Sequence, residues 1–499
     1  MRAVEHSRIK FEFQEVQTAD GRLVLEGSMY FEVPLPPQDE HLPNRVERAV
    51  EEVGQKFKRQ VYQHLLEKLD AELVLARRQG KEGQGVVCRG GRSATFKTVF
   101  GTVHVRRRRI ENKADRSLET PAVQAWGTPQ QVTITQGLTD AVCDAMLQAA
   151  SRKALRSVEE RAGEEELLAR TSVLNLVHEE GCQLRDAVRR RAEEVFAADP
   201  EAARCLLPPV AEPPPPEASP PAAEENEAPW DVLAGFPGAP TSEAVKEGEP
   251  RRVDAHTVMV QADEVCVHAQ ASTGCKEIRV YNVMVSTSER TWYFSEENAQ
   301  NTILLTGALL AVLGVPRGAM RLLFVNDGAR WIRDWFDGLQ VHAKNMVLCW
   351  YHLAHRCLMN LGSACGKRRA AELGQEVLGH LWEGRVDEAL EVLTQHRTEM
   401  KNRPALDQIV EYIRARRPYL PNYKARKEAG VWIASNRVEK LNDWTTSQRC
   451  KGRGMDWTRE GVVALAVLES ARRNGELRVW RKTRSLPGWT ATATAQQAA

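Results

Sequence analysis

Between residues 199 and 250 the chain holds thirteen of its 24 prolines, four of them consecutive at Pro213–Pro216, with eleven acidic side chains against two basic ones. No packed core can run through such a stretch, because it buries too little apolar surface to offset the entropy of ordering it. The 499 residues are therefore expected to form separate bodies on either side of a linker at 199–252. The segment also distorts the charge balance. The whole chain carries only +2, but the segment itself is −9, which leaves +11 on the remainder. Residues 425–484 alone contain fourteen Lys/Arg against seven Asp/Glu. Concentrated positive charge suits a polyanion, although a solvated basic face gives the same count.

Nothing in the chain points to a membrane. No run of about 18 apolar residues occurs, and the opening MRAVEHSRIKFEF lacks an apolar secretory core. The ten cysteines form no Cys-x-x-Cys pair, which fits a reducing compartment. A soluble cytoplasmic protein, associated with the nucleoid if its partner is DNA, is the expectation.

The N-terminal half reads as two regions. Residues 1–125 carry an α+β pattern: loose alternation over 6–35, helical spacing over 43–78, and a hairpin in ATFKTVFGTVHVRRRRIE. Arg106, Arg107, Arg108 and Arg109 close that hairpin and, at period two, point to both faces. Residues 126–198 read as helical, with helix–turn–helix character where a helix near 152–162 meets Gly163 and a second starts at Thr171–Ser172. Any two packed helices would show the same spacing. Arg170 and the hairpin arginines are candidate DNA contacts.

The C-terminal half, 253–484, alternates strand and helix signals and ends in a flexible tail, 485–499. Strands are expected at 258–270, 276–286, 290–294 and 321–326, a fifth strand running into a helix at 345–353, and helices at 297–314 and 329–337. A strandless helical insertion over about 360–430 precedes a last helix at 435–449. That order predicts an α/β domain with a ribonuclease-H-like mixed sheet.

In such a sheet the first and fourth strands are neighbours, which brings Asp263 toward Asp327. Strand interiors disfavour Asp, and two adjacent carboxylates are costly without a cation or a shared proton. With Glu439 from the last helix they could hold two Mg²⁺ (or Mn²⁺) ions about 3.5–4 Å apart, a phosphodiester-cleaving arrangement. Each acid also has an ordinary explanation. Asp327 sits in Asn-Asp-Gly, a turn sequence and helix cap; Asp263 could face solvent; Glu439 could pair with Arg437 or Lys440. Trp331 and Trp335, four residues apart, read as core. Cys349, His352, His355 and Cys357 invite a zinc reading, but their side chains are expected to diverge. Arg449, Lys451 and Arg453 flank glycines that would let backbone approach a phosphate chain.

The C-terminal half resembles bacterial insertion-sequence transposases of the Mutator-like DDE group. The matching blocks are QADEVCVHAQ around Asp263, VNDGARWIRDWF around Asp327, CWYHL with Cys349 and His352, and SNRVEKLNDWTTSQRCKGRGMDWTREGVVAL around Glu439. The resemblance covers roughly 255–475, and the hairpin block resembles the N-terminal part of the group. Asn326 stands where the group usually has glycine, and a glycine common near the Glu is missing here. The resemblance implies catalysis by Asp263, Asp327 and Glu439, with Cys349 and His352 as accessory residues. It also implies two divalent ions, binding of terminal inverted repeats and target DNA, and assembly as a homo-oligomer on DNA. Two other readings remain: a catalytically silent DNA-binding descendant, and a nuclease of the ribonuclease-H type that cuts without joining.

Overall fold

The structure, a computed structural model, describes residues 9–18, 23–31, 42–79, 85–208, 253–452 and 454–489. It divides into two compact units, Met1–Val177 and His178–Ala499.

In the first unit, β1 (Ile9–Gln17) and β2 (Leu23–Phe31) pair antiparallel. A helix over Leu42–Gln79 follows. The predicted hairpin is β3 (Val86–Thr98) and β4 (Gly101–Asn112). With β5 (Leu118–Glu119) and β6 (Val132–Ile134) it makes a four-stranded sheet in the order β5-β4-β3-β6. Alternate residues Ala94, Phe96, Val103 and Val105 are buried and pack against Tyr62, Leu66 and Trp126, the period-two face that a half-buried strand requires. Short helices at Gln136–Gln148 and Ser151–Ala162 lead to a long one at Arg170–Ala198.

Several expectations for this half are corrected. Residues 126–198 are not all helical, since Val132–Ile134 adds a parallel strand to β3; three residues are too few to show a period. The connection between the helices ending at Ala162 and starting at Arg170 spans seven residues, longer than the three or four of a helix–turn–helix. The division between units falls inside the helix Arg170–Ala198, not at the proline-rich segment. That segment also starts later than composition implied, because Pro200–Leu206 is helical with Asp199 as its cap. Asp199 accepts from Ala202 N at 3.1 Å, and proline is welcome at the first helical position, where its missing N–H costs nothing. The rest of the expected linker, residues 209–252, lies outside the described residues.

The second unit is built on a mixed α/β sheet of five strands: β7 (Thr257–His268), β8 (Glu277–Ser286), β9 (Thr291–Glu296), β10 (Arg321–Asn326) and β11 (Lys344–Leu348). Their order is β11-β10-β7-β8-β9. β7, β10 and β11 are parallel; β8 and β9 run antiparallel to their neighbours. The parallel strands need crossovers, supplied by the helices Ala299–Val312 and Arg330–Gly338. As expected, Trp331 and Trp335 of the second crossover are core residues, both essentially fully buried. After β11 come helices at Trp350–Cys365, Lys367–Trp382, Val386–Gln395, Arg403–Arg416 and Tyr423–Glu428, with no strand among the described residues. Asn436–Asn442 is the helix carrying Glu439, continued by a π-helical turn at Asp443–Ser447. Helices at Arg459–Arg473 and Glu476–Thr483 close the fold. The expected tail is ordered at its start: Trp489 is buried, with the Arg191 guanidinium 3.9 Å from its ring. Among the described residues no helix is long and apolar enough to cross a membrane.

Candidate active site

Strand register brings the site together. β7 and β10 pair from Thr257 with Arg321 to Val260 with Phe324, a constant offset. Carried three residues further, that offset sets Asp327 level with Asp263. β10 and β11 end their pairing at Asn326 with Leu348, so the next residues, Asp327 and Cys349, are level too, and Cys349 N donates to Asn326 O at 2.7 Å. On the other side Asp263 pairs with Asn282 and Asn282 with Ser295. One line across the five strands, in sheet order, thus reads Cys349, Asp327, Asp263, Asn282, Ser295. Residues in register share a face, so an otherwise apolar sheet carries a polar row.

The helix with Glu439 is delivered onto that row by the segment before it. Trp350 N donates to Ile433 O at 2.9 Å, Gln261 Nε2 to Ala434 O at 3.1 Å, and Ser435 N to Cys349 Sγ at 3.3 Å. Glu439 and Asn442, three apart on one helical face, then reach the row. Asn442 Nδ2 donates to Asp263 Oδ2 at 2.7 Å. Asn282 Nδ2 donates to Asn442 Oδ1 at 2.8 Å, and Ser295 Oγ to Asn282 Oδ1 at 2.5 Å. Every donor in this buried chain points toward Asp263.

The carboxyl of Asp263 is pushed up to about 7, first by burial and then by the negative charge of Asp327; His352 and the Glu264 N–H pull it down. Its neighbour Glu264 is not part of the site. Glu264 accepts from Trp331 Nε1 at 2.5 Å and lies 3.7 Å from the Arg279 guanidinium. Asp327 remains half-buried and also performs its turn role, accepting from Ala329 N at 2.9 Å. Asn326 is fully buried and accepts from Gly328 N at 2.9 Å.

Glu439 pairs with neither Arg437 nor Lys440. Arg437 donates instead to Ser286 and Thr291, and Lys440 stands over Trp444. Glu439 Oε1 accepts from Ser435 Oγ at 3.2 Å and lies 3.7 Å from His352 Nδ1. Cys349, His352 and Glu439 form the one group of three potential metal ligands among the described residues, with donor atoms all within 4.8 Å of one another. Asp263 and Asp327 act on this group electrostatically but do not join it at that distance. Glu439 leans toward the imidazole. Burial lowers the proton affinity of His352, but Cys349, Asp327 and Glu439 outweigh it and hold the ring well above its usual range. Cys357 of the zinc reading is outside the group, its fully buried thiol pushed up to about 12.

The group within ligand distance therefore offers a thiol sulfur, a ring nitrogen and a carboxylate oxygen, and the carboxylates of Asp263 and Asp327 lie outside it.

The expected DNA contacts divide. Arg106, Arg170 and Lys451 are exposed, and Arg109 is half-buried. Arg107 is buried and donates to Thr128 O at 2.8 Å and Gln130 O at 3.3 Å. Arg108 is committed to Asp70 at 3.1 Å and Glu67 O at 3.0 Å. Arg449 is buried, which removes it from the basic surface. Arg453 lies outside the described residues. Two adjacent members of the hairpin's arginine run, one on each strand face, are thus taken up by the fold. Asn282, Ser295 and Asn442 were missed from sequence; the signal was a polar residue interrupting the apolar runs VYNVMV and WYFSE.

Over residues 40–201 the sequence matches an uncharacterised protein family (UPF0236), a stretch that ends before the five-stranded sheet. No curated protein matches the chain.

Proposed function

We propose that the protein is a DNA transposase of the Mutator-like DDE group, which binds the terminal inverted repeats of an insertion sequence, cleaves at its ends and joins them to target DNA. The observation that carries this reading is the level placement of Asp263 and Asp327 on neighbouring strands, with Glu439 brought over them by a helix that follows a strandless insertion. The strand order and the three-antiparallel, two-parallel succession support a ribonuclease-H-like sheet, and the expectation from the sequence motifs points the same way.

Asp263, Asp327 and Glu439 would hold the two Mg²⁺ (or Mn²⁺) ions, which when bound supply activation of a water or hydroxyl and stabilisation of the leaving oxygen. The rest of the work falls to this chain's side chains. Asn442 fixes the rotamer of Asp263 through Oδ2, and the Ala329 N–H fixes Asp327 through Oδ1. His352, whose ring sits among these acids, is placed to donate a hydrogen bond to a phosphate oxygen entering beside Glu439, and Ser435 holds both His352 and Glu439 in place. Hydrolysis at the element's end leaves a 3′-hydroxyl. That hydroxyl then attacks a target phosphodiester in line, with no covalent enzyme intermediate.

The test is Asp327→Asn assayed with end DNA and Mg²⁺. Cleavage should fall by about three orders of magnitude or more, since several kcal/mol of charge stabilisation are lost, while binding of the same DNA is kept. Wild-type-like cutting by the variant would refute the assignment. Nicking without joining by the unaltered protein would move the reading to a nuclease.

A further inference from the structure

The loop carrying Asp327 is held from a second side by the helical insertion. Arg416, at the end of the helix Arg403–Arg416, donates Nη2 to Gly328 O at 3.1 Å, and its guanidinium lies 3.9 Å from the centre of the Tyr412 ring. Arg356, from the helix Trp350–Cys365, stands 5.5 Å from the same ring. Arg333, from the crossover helix after Asp327, adds a third positive charge, and Arg333 and Arg356 both push against Arg416. The Nε atoms of Arg333 and Arg416 are buried without a hydrogen-bond partner.

Three guanidinium groups from three helices do not gather without a counter-charge. The carboxylates around them are already engaged. Asp407 is gripped by Arg397 at 2.7 and 2.8 Å, Glu411 by Arg414 at 3.3 Å, and Asp334 lies 3.6 Å from Arg330. Asp337 accepts from the Tyr419 hydroxyl at 2.7 Å. Asp327 is the acid that acts on Arg416, and in the function proposed above its charge belongs to metal ions. Arg356, Tyr412 and Arg416 edge an open cleft of about 580 Å³, whose other charged lining residues, Asp407 and Glu411, are the two already gripped by Arg397 and Arg414. Arg offers a planar fork matched to phosphate oxygens, and the Tyr412 ring fixes the plane of the Arg416 guanidinium.

We propose that Arg356 and Arg416, arranged around Tyr412, together with Arg333, whose charge acts on Arg416, form a binding site for a backbone phosphate of the DNA strand that passes Asp327. The site seats a phosphate near the reacting one, so the helical insertion holds substrate beside the chemistry. The proposal rests on the transposase reading for the identity of the polyanion alone.

The experiment measures binding of a short fluorescein-labelled DNA duplex to the full chain by anisotropy, across a series of NaCl concentrations and without divalent cations. The proteins compared are the unaltered chain, R356Q, R333Q/R356Q and R414Q. Arg416 is left in place because it also anchors Gly328. Removing one arginine that neutralises a phosphate should flatten the slope of log K against log salt by about 0.9, so R356Q flattens it once and the double variant about twice. R414Q removes the same charge from the same helix, but Arg414 is committed to Glu411, so its slope should match the unaltered chain. An unchanged slope in the double variant, or equal flattening in R414Q, would overturn the proposal. Calorimetric binding of inorganic phosphate that vanishes in the double variant, with the DNA slope unchanged, would assign the site to free phosphate and overturn it as well. Because no metal is present, the result is independent of whether Asp327→Asn abolishes cleavage.

Discussion

The amide of Asn442 meets a buried carboxyl in the middle of the sheet. Asp263 is a strand carboxylate raised to about 7 by burial and by Asp327, and Asn442 Nδ2 donates to it at 2.7 Å. The orientation of that amide is set from behind, because Asn282 Nδ2 takes up Asn442 Oδ1 and leaves only the NH₂ group for Asp263. Asn442→Ala would leave Asp263 Oδ2 and Asn282 Nδ2 without these partners. A hydrogen bond to a charged group contributes about 1.5–3 kcal/mol, so cleavage should fall roughly ten- to a hundred-fold. Because the defect lies in aiming a metal-holding carboxylate, raising Mg²⁺ should recover part of the loss, which it cannot do for Asp327→Asn. A Mg²⁺ titration of cleavage rate for both variants separates the two. Equal, unrecoverable losses would mean that Asn442 does more than position Asp263.

At the scale of elements, the turn from β10 into the helix Arg330–Gly338 shows why Asn-Asp-Gly stands there. Gly328 has φ +74, and a Cβ built on it would meet Leu348 Cδ1 at 2.7 Å and Arg416 Nε at 3.0 Å. The left-handed backbone alone costs a residue with Cβ about 1–2 kcal/mol, and the crowding adds to it. Gly328→Ala should therefore destabilise the protein by about 2–3 kcal/mol, read as a lowered denaturant midpoint with unchanged slope. An unchanged midpoint would show that the turn can reshape. This turn, the five strands and both crossovers were legible because each is an apolar run bounded by turn chemistry. The approach of Asp327 to Asp263, close enough to raise its proton affinity, was expected from strand order alone. The short β6 was not legible, since three residues carry no period. Nor was the inward commitment of Arg107 and Arg108, because a guanidinium buried against Thr128 O or Asp70 has the same sequence as one facing DNA. Asn442 escaped notice for a similar reason. Its value lies in what it meets across 179 positions of sequence, which no local pattern encodes.

For the whole molecule, composition and packing disagree about where the second body begins. The proline-rich acidic stretch marks the place where apolar surface runs out, yet the α/β unit starts earlier, at His178. The helix through Arg170–Ala198 crosses the helix Arg459–Arg473 so closely that a Cβ on Gly181 would meet Ala464 Cβ at 2.5 Å. Its basic residues neutralise buried acids of the same unit. Arg189 Nη2 lies 2.6 Å from Glu296, and Arg191 lies 2.7 Å from Glu476 with both side chains under 5% exposed. Trp480 Nε1 donates to Glu180 at 2.7 Å. A fragment cut at the compositional boundary, beginning at residue 253, would lose these partners and leave Glu296 and Glu476 buried and unpaired. Each broken buried pair costs about 3–5 kcal/mol, and a domain has only about 5–15 kcal/mol in total. A fragment starting at Arg170 and ending at Trp489 should unfold in one cooperative transition, whereas 253–489 should show no cooperative unfolding by near-ultraviolet circular dichroism. Charge alone can be separated from packing with Arg191→Met in the longer fragment, which should lower stability by a few kcal/mol while keeping the transition cooperative. If 253–489 melts as sharply and as high as the longer fragment, the helix is an appendage, and the boundary belongs at the prolines after all.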